Sequence, residues 1–261
     1  MKLKYFFICS WMSICLLSAC TDALDRSPDG NMSMQDVMAD PTRVEALLNK
    51  CYHQIPVKGY FYRWHDALVV AMSDDGWCSE ELQGQIVQYL YSDNTTAAYH
   101  PMTDFPSDMD GSAVDLDGHY TSNSLHFWAN YWPQIRLCSQ FIELIDQATV
   151  RSESDRRRFK AEAHVLRAFY YCELVKWFGK VPILDKTVPF DTDFTVMKRD
   201  AVYDIAKFAG SDCDVAINTL ELPWRITDAG DALRVTKALA WTLKAKMMLF
   251  AASPLHNENN D

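Results

Sequence analysis

Apolar residues recur at every third or fourth position along six stretches of the chain, and this spacing predicts amphipathic α-helices. The stretches lie at about 39–55, 63–75, 126–148, 154–178, 199–220 and 234–252. No region is rich in the alternating pattern that predicts β-strands. We therefore expect an all-α protein whose helices form antiparallel hairpins and stack into an α-solenoid-like scaffold.

Two of the predicted helices carry clear signals at their ends. Asp40 can cap the first helix, and Pro41 suits its first turn because an N–H group would have no partner there. The fourth helix is expected to end before Gly179, which accepts a left-handed backbone, and Pro182 prevents its continuation.

Aromatic residues crowd the end of the fourth stretch, in the sequence RAFYYCELVKWF at 167–178. Such a crowd could be a ligand platform or part of the core. The rings occur at helical spacing and fall on or beside one apolar face, which is typical of core packing. We therefore predict that they are buried.

The helical pattern stops between Gly76 and about Ser124, where Gly, Asp, Ser, Asn and Pro interrupt it repeatedly. A structureless segment of this length inside a helical protein is uncommon and usually functional or disordered. We treat it as a long irregular insertion in the scaffold. The aromatic cluster that leads directly into the second helix, Tyr60, Phe61, Tyr62 and Trp64, is expected to belong to the core.

The N-terminus has the pattern of an export signal. Lys2 and Lys4 precede a short apolar run, and the sequence LLSAC then places small residues before Cys20. This ending resembles a bacterial lipobox, in which Cys20 would become the acylated first residue of the mature chain. We therefore assign 1–19 to a lipoprotein signal peptide, 20–39 to a polar tether, and 40–261 to the folded domain.

Charge and cysteine content narrow the function further. The chain of 261 residues has a formal net charge of -10. Its longest basic run is Arg156–Arg157–Arg158, which we interpret as a solvated helix face, so nucleic acid is an unsuitable partner. Five of the eight cysteines follow Cys20; their number is odd, no CxxC occurs, and Cys138, Cys172 and Cys213 lie within helix-like stretches. Buried thiols are favoured over a disulfide framework, although one bridge stays open.

Several long segments resemble, in order, those of the SusD/RagB-like family of outer-membrane nutrient-binding lipoproteins. They are VEALLNKCYHQI, FWANYWPQIRLCSQFIELID, AEAHVLRAFYYCELVKWFGKVPIL, KRDAVYDIAKFAGSDCDVAINTLELP and LRVTKALAWTLKAKMMLFAASPLHN. The resemblance covers nearly the whole chain except 76–124. It implies tetratricopeptide-like helix pairs, no enzymatic activity, and a lipid-anchored position on the outer face of the outer membrane.

The same resemblance implies two partners. One is a glycan ligand, and the other is a SusC-like TonB-dependent β-barrel transporter that receives it. Members of the family usually run to about twice this length, so we expect the chain to be a fragment or a truncated product. A missing C-terminal half would leave apolar helix faces uncovered and would remove part of a ligand site.

A sugar site needs an exposed flat ring for stacking and polar side chains for the hydroxyls. The irregular segment offers both, and ligand contacts in the family often come from this region. Our candidate glycan-binding residues are Trp77, Tyr89, Tyr91, Asn94 and Tyr99. Trp77 follows the second predicted helix directly and is the first choice for a stacking residue. The alternative is that these rings pack beneath a long loop.

Other functions find weaker support in the sequence. The acidic pairs Asp74–Asp75 and Glu80–Glu81 could suggest a glycosidase, but adjacent residues on an extended segment point apart. The sequence contains no GxSxG, no P-loop and no HExxH motif. Capture of peptides or glycoprotein fragments, and a helical interaction scaffold without a small ligand, remain alternatives.

Metal binding was considered for two groups of residues. The run DMDGSAVDLDGHY lacks the acidic residues that an EF-hand needs at its first and last positions. A looser cation site could use Asp108, Asp110, Asp115 and Asp117. His119 and His126 are seven residues apart and have no zinc-site spacing.

Overall fold

A computed structural model of the chain describes residues 32–55, 127–189 and 191–257. Within these ranges the protein is helical and contains no β-strand, which confirms the predicted all-α class. The helices are α1 (Met34–Met38), α2 (Pro41–Cys51), α3 (Phe127–Leu144), α4 (Glu153–Phe178), α5 (Val202–Asn218) and α6 (Lys237–Ala251). Short 3-10 turns occupy Ile145–Gln147, Phe194–Val196 and Ala229–Asp231.

The predicted end signals are present. The Asp40 side chain accepts a hydrogen bond from the Thr42 N–H, and Pro41 is the first residue of α2. Gly179 follows α4 with a φ of 65°, a value that an L residue rarely adopts. The predicted stretches at 199–220 and 234–252 are shortened to α5 and α6. Thr236 caps α6 through the Leu239 N–H, which sets its start three residues later than the pattern suggested.

The folded part begins earlier than the sequence analysis placed it. Residues Met34–Met38 fall within the range assigned to the tether, yet they form α1. Ser33 and Asp36 make a reciprocal capping box at its start, and Met38 is buried. A single turn of this kind depends on packing, and its contacts with α2 supply it.

Helices α3 to α6 run antiparallel in succession. Trp128 and Phe178 form a ring contact near one end of the α3–α4 pair, and Ser139 meets Arg167 further along it. Along α4 and α5, Tyr171 lies against Phe208, while Arg167 reaches Asp212. Lys244 of α6 pairs with Asp214 of α5. The predicted antiparallel hairpins are therefore present, whereas the tetratricopeptide-like repeat and the solenoid stay predictions.

Helix α4 is the centre of this stack, and it packs against α2, α3, α5 and α6. Every residue from Ala161 to Ala168 is buried. The predicted burial of the aromatic run is confirmed, because Tyr170 and Tyr171 are fully buried and Phe169, Trp177 and Phe178 pack against the core. The middle of α4 is buried on all faces rather than along one stripe, because α2, α3, α5 and α6 pack against it.

The cysteines that the structure describes are buried and free, as predicted: Cys51, Cys138, Cys172 and Cys213. The basic run at the start of α4 only partly fits the predicted solvated face, because Arg157 is exposed whereas Arg156 and Arg158 are half-buried. Arg156 donates to the carbonyl oxygens of Ile145 and Ala148, Arg157 pairs with Glu221, and Arg158 pairs with Asp231. These side chains bind the connections that lie next to the start of α4. Their partners are distant in sequence, so the spacing of residues does not identify them.

Candidate functional site

The residues proposed for ligand binding and lipid attachment lie outside the part of the chain that the structure describes. They are Trp77, Tyr89, Tyr91, Asn94 and Tyr99 for the glycan and Cys20 for the lipid. The acidic pairs, the four candidate cation ligands, His119, His126 and the 60–64 aromatic cluster also lie outside it. The structure describes the two flanks of the segment 56–126, which are α2 before it and α3 after it, and the helices against which they pack.

The two flanks of this segment meet on the same side of α4. The hydroxyl of Tyr170 donates to the carbonyl oxygen of Cys51 at 2.6 Å, at the very end of α2. The ring of Tyr170 also packs against Tyr131, near the start of α3, with ring centroids 5.1 Å apart. One α4 side chain thus holds the helix that leads into the segment beside the helix that follows it.

An aromatic cluster lies at the start of α3. The ring of Trp128 contacts Trp132 and Phe178 edge-on, with centroids 5.3 and 5.1 Å away. The guanidinium of Arg199 lies over the Trp128 ring, 5.8 Å from its centroid. Edge-to-face contacts and a cation over the ring face both favour fixed positions. The cluster fixes α3 on the end of α4 where the segment rejoins the scaffold.

A polar cluster fixes the other flank. The hydroxyl of Tyr52, one residue after α2, donates to the Glu162 carboxylate at 2.6 Å and accepts from the Val235 N–H at 3.1 Å. Arg234 donates to Glu162 at 3.0 Å and to Glu45 at 3.1 Å. The cluster therefore joins α2, α4 and the connection before α6 at one point.

The electrostatics of this polar cluster are dominated by burial. Glu162 is 1% exposed, and burial raises the pKa of its carboxyl although Tyr52 and Arg234 donate to it. Burial, together with the negative charge of Glu162, also raises the pKa of Tyr52. The Tyr52 hydroxyl consequently stays protonated and acts as a donor.

Leu233 has a φ of 70°, and its side chain is 86% exposed. This conformation is unusual for a residue with a branched side chain and carries a cost of order 1–3 kcal/mol. Arg234 and Val235 follow it directly, and both are held by the polar cluster. The cluster thus stabilises a strained turn in the connection between α5 and α6.

A second charged cluster lies in the core between α3, α4 and α5. Arg167 donates to both carboxylate oxygens of Asp212 at 2.7 Å, and to the Ser139 hydroxyl at 3.0 Å. His164 Nδ1 lies 2.6 Å from Asp212 Oδ1. Burial acts to raise the pKa of Asp212, but the hydrogen bonds from Arg167 and His164 outweigh it and lower that pKa.

An open groove of about 710 Å³ runs between α4 and α6. Its lining is mostly apolar and comprises Cys172, Lys176, Thr242, Ala245, Lys246, Met247, Leu249, Phe250 and Ser253. A sugar site needs convergent polar groups around an exposed ring. This groove offers few of them, so it is a poor match for the predicted glycan site.

No helix in 32–55, 127–189 or 191–257 is long and apolar enough to cross a bilayer. In the same ranges no group of three or more His, Cys, Asp or Glu side chains is arranged to hold a metal ion.

Sequence reasoning missed both charged clusters. Arg167 and Asp212 are 45 positions apart, and Tyr52 and Glu162 are 110 apart, so no local pattern joins them. The sequence nevertheless indicated that buried charged groups occur in α4. Glu162, His164 and Arg167 interrupt an otherwise apolar run in α4, and ionisable residues there need partners when they are buried.

Comparison with known proteins gives this scaffold a family. A SusD-like family profile, described as "Starch-binding associating with outer membrane", matches residues 22–249. This chain belongs to the SusD-like family. The match takes in both flanks of the segment 56–126 and the segment itself. No curated protein sequence matches the chain significantly.

Solved structures show the same fold. A SusD-like protein from Bacteroides fragilis is 24% identical, covers 87% of this chain and 38% of its own length, and has a TM-score of 0.64. A laminarin-binding SusD-like protein is 20% identical. The match covers 84% of this chain and 42% of that protein, and the TM-score is 0.60. Surface glycan-binding protein A from Bacteroides thetaiotaomicron, solved with laminarihexaose, is 18% identical. The match covers 80% of this chain and 38% of that protein, and the TM-score is 0.53.

These identities support a shared fold and leave the ligand of this SusD-like chain open. The chain spans about two fifths of the length of each of the three relatives, at 38%, 42% and 38%. The activity, substrate and partners of a whole SusD-like protein are therefore matters for proposal here.

Proposed function

We propose that this chain is a lipid-anchored, non-enzymatic glycan-binding protein of the outer membrane that passes oligosaccharide or polysaccharide to a SusC-like TonB-dependent transporter. The observation that carries the proposal is the SusD-like family match over 22–249, with its description of starch binding and outer-membrane association. Two structural relatives are named for binding laminarin or were solved with laminarihexaose, which supports a β-glucan as a second ligand class to test.

The geometry of the flanks supports a site in the segment 56–126. Tyr170 holds the two flanking helices together, and the Tyr52 and Trp128 clusters fix them on α4. A binding segment on rigid supports loses less conformational entropy on binding than one on mobile supports. Trp77 would provide the stacking face, and Asn94 and the tyrosines at 89, 91 and 99 would bond the sugar hydroxyls.

The test is isothermal titration of amylose, laminarin and a wider glycan panel into residues 21–261. We expect one glycan class to bind, and we expect Trp77→Ala to weaken that binding about a hundredfold, as loss of a central stacked ring does. The matched control is Trp224→Ala, because Trp224 is 59% exposed and lies in the α5–α6 connection. Its affinity should equal that of the wild type.

Each result has a definite meaning. If no glycan binds, the proposed ligand class is wrong for this chain. An affinity of Trp77→Ala equal to that of the wild type would place the site elsewhere, and equal losses in Trp77→Ala and Trp224→Ala would show an effect on the fold and contradict a specific role for Trp77. Release of reducing sugar by the purified protein, abolished by Asp75→Asn or Glu80→Gln, would replace binding by hydrolysis.

The lipid anchor has its own test. A bacterial cell that exports the full chain should show it in the membrane fraction, with fatty acid attached to Cys20. Cys20→Ser should remove the acylation and move the protein to the soluble fraction, since the acyl chains supply about 0.8 kcal/mol per buried methylene. Membrane retention of unacylated Cys20→Ser would contradict the anchor.

A further inference from the structure

The connection between α5 and α6 exposes three large apolar side chains. Leu220, Trp224 and Leu233 are 88%, 59% and 86% exposed. The Lys237 N–H donates to the Pro223 carbonyl oxygen at 2.9 Å, so the two ends of the connection lie side by side. A single exposed apolar residue is ordinary, but three within one short connection mark a candidate contact surface.

The backbone of Leu233 supports this interpretation. Its φ of 70° is strained for a residue with a branched side chain, and the contacts of Arg234 and Val235 hold it there. Glycine or asparagine would adopt the same turn at a lower cost. The chain thus has a leucine where the side chain gains little internal packing, which points to a contact outside the molecule.

This connection lies at the end of the stack where α4 begins. Glu221 pairs with Arg157 at 2.6 Å, and Asp231 pairs with Arg158 at 3.3 Å. Both arginines belong to the first two turns of α4. The exposed apolar side chains therefore belong to the same end of the molecule as the first turns of α4.

The N-terminal part of the chain enters the folded scaffold at this same end. The carbonyl oxygen of Met38, the last residue of α1, accepts from the Thr149 N–H at 2.7 Å, and Thr149 shortly precedes the start of α4 at Glu153. Helix α1 has five residues and is about 7.5 Å long, so Ser33 at its start is also close to this end.

The length of the preceding chain limits how the stack can face a membrane. Thirteen peptide units separate Ser33 from Cys20, the proposed lipid-bearing residue, and they span at most about 45 Å. Helix α4 has 26 residues and is about 39 Å long. Turning the opposite end of the stack to the lipid would extend this chain almost fully, which costs conformational entropy.

We propose that the α5–α6 connection rests on the lipid surface of the membrane, with Leu220, Trp224 and Leu233 at the interface, when the chain is anchored through Cys20. The inference rests on the proposed lipid anchor and gives the anchored protein an orientation. It does not depend on which glycan binds.

The exposed side chains suit a lipid interface. Tryptophan is enriched where a bilayer meets water, because its ring is apolar and its N–H is polar. The two leucines add apolar area that leaves water. Arg225, next to Trp224, is exposed and can donate to lipid phosphate groups. Three apolar side chains orient a protein that acyl chains already hold, and they do not replace the anchor.

Exposed apolar side chains alone do not select this end of the stack. Phe194, Val196 and Tyr203 are also exposed, and they lie after the end of α4 or at the start of α5. In the proposed orientation this opposite end, where the segment 56–126 rejoins the scaffold, faces away from the lipid. A glycan would then approach the candidate site from solution.

The experiment is quenching of tryptophan emission by brominated lipid. The acylated full chain is purified from the membranes of an exporting cell and placed in phosphatidylcholine vesicles with ordinary or dibrominated acyl chains. Trp224→Phe removes the indole from the proposed contact, and Trp224→Phe/Tyr203→Trp moves it to the opposite end. We expect brominated lipid to remove more emission from the wild type than from either variant, and equal amounts from the two variants.

A further variant tests the contact surface as a whole. Leu220→Asn/Leu233→Asn should reduce the quenching of Trp224 by brominated lipid. The urea midpoint of this variant should equal that of the wild type, because both side chains are exposed and asparagine accepts the left-handed backbone at 233. Unchanged quenching in this variant would contradict a role for the two leucines at the interface.

The outcomes separate this inference from the anchor itself. If mass spectrometry finds fatty acid on Cys20 but the wild type and Trp224→Phe are quenched equally, the proposed surface is wrong and the anchor stands. Greater quenching of Trp224→Phe/Tyr203→Trp than of the wild type would reverse the orientation. A Cys20 without fatty acid would refute the anchor and the inference together.

A protein partner is the other possible occupant of this surface. The photo-reactive amino acid p-benzoylphenylalanine, in place of Trp224, should attach to lipid when membranes of the exporting cell are irradiated. Attachment to a membrane protein instead would assign the surface to that protein and would overturn the lipid contact.

Discussion

Asp212 and Glu162 are both carboxylates buried against α4, yet their pKa values move in opposite directions. The carboxyl of Asp212 is 3% exposed and its pKa is lowered, whereas that of Glu162 is 1% exposed and its pKa is raised. Burial opposes the charged form at both sites. The difference must therefore lie in the partners.

Asp212 pairs with Arg167, which has no second carboxylate partner among the described residues. Arg167 binds both of its oxygens, and His164 adds a third contact. Glu162 receives a neutral hydroxyl from Tyr52, shares Arg234 with Glu45 and Asp231, and lies 3.8 Å from the Arg158 guanidinium. A bidentate arginine that serves one carboxylate thus compensates for burial, whereas a tyrosine and two arginines shared with other carboxylates do not.

The largest effect is expected from Asp212→Asn. This change leaves the Arg167 guanidinium buried without its counter-charge, which costs about 3–5 kcal/mol of folding stability. Urea unfolding at neutral pH measures the loss. The control is Asp214→Asn, two positions along α5, because Asp214 pairs with Lys244 and its side chain is 46% exposed. That variant should lose at most about 1 kcal/mol.

A smaller loss is expected from Glu162→Gln, about 1–2 kcal/mol in the same unfolding measurement. The amide oxygen can still accept from Tyr52, and Arg234 keeps Glu45 and Asp231 as partners. The neutral side chain also removes the cost of burying a charge. Equal losses for Glu162→Gln and Asp212→Asn would break the comparison between the two clusters.

The two carboxylates should respond to pH in opposite senses. The folded pKa of Glu162 is raised from 4.5, so its stabilising contribution is present below pH 4.5 and is lost as pH rises from there through the folded pKa. The folded pKa of Asp212 is lowered from 3.8, so its contribution is present above pH 3.8 and is lost as pH falls through the folded pKa.

Carbon-13 NMR of the side-chain carboxyl groups measures this directly in the wild-type protein. We expect the Glu162 resonance to titrate above pH 4.5 and the Asp212 resonance to titrate below pH 3.8. The variants Glu162→Gln and Asp212→Asn assign the two signals. Titration of Glu162 below pH 4.5 would show that Arg234 compensates its burial after all.

These clusters also mark the limit of what the sequence could predict. Local signals located the helices well, because Asp40 and Pro41 start α2 and Gly179 ends α4 through contacts within a few residues. The partners of Glu162 and Arg167 come from other helices, and no spacing rule selects them. The burial of the aromatic run at 167–178 was predictable from its helical spacing. The burial of the middle of α4 on all faces depends on its packing against other helices, which the sequence pattern does not show.

The candidate site was predictable to a different degree. Its flanks, α2 and α3, were expected from periodicity and are present. Trp77 and the other proposed ligand residues stay predictions, since they fall in a segment without a periodic pattern. The chemistry of sugar binding selects residue types there, and it does not determine how those residues come together.

The smallest effect is expected from Arg158→Gln. The Arg158 guanidinium lies 3.8 Å from Glu162 and 3.3 Å from Asp231, on a side chain that is 23% exposed. Its loss should raise the pKa of Glu162 further and change stability by at most about 1 kcal/mol. Arg157→Gln is the control, because Arg157 pairs with Glu221 instead. A Glu162 titration unchanged by Arg158→Gln would exclude Arg158 from that cluster.

We propose that the segment between α2 and α3 binds glycan while the helical stack holds its flanks. Hydrogen–deuterium exchange of residues 21–261, with and without a saturating glycan from the titration panel, tests it most directly. We expect added protection in peptides that cover 76–99 and little change in α4, α5 and α6. Protection confined to the groove between α4 and α6, with none in 76–99, would contradict it.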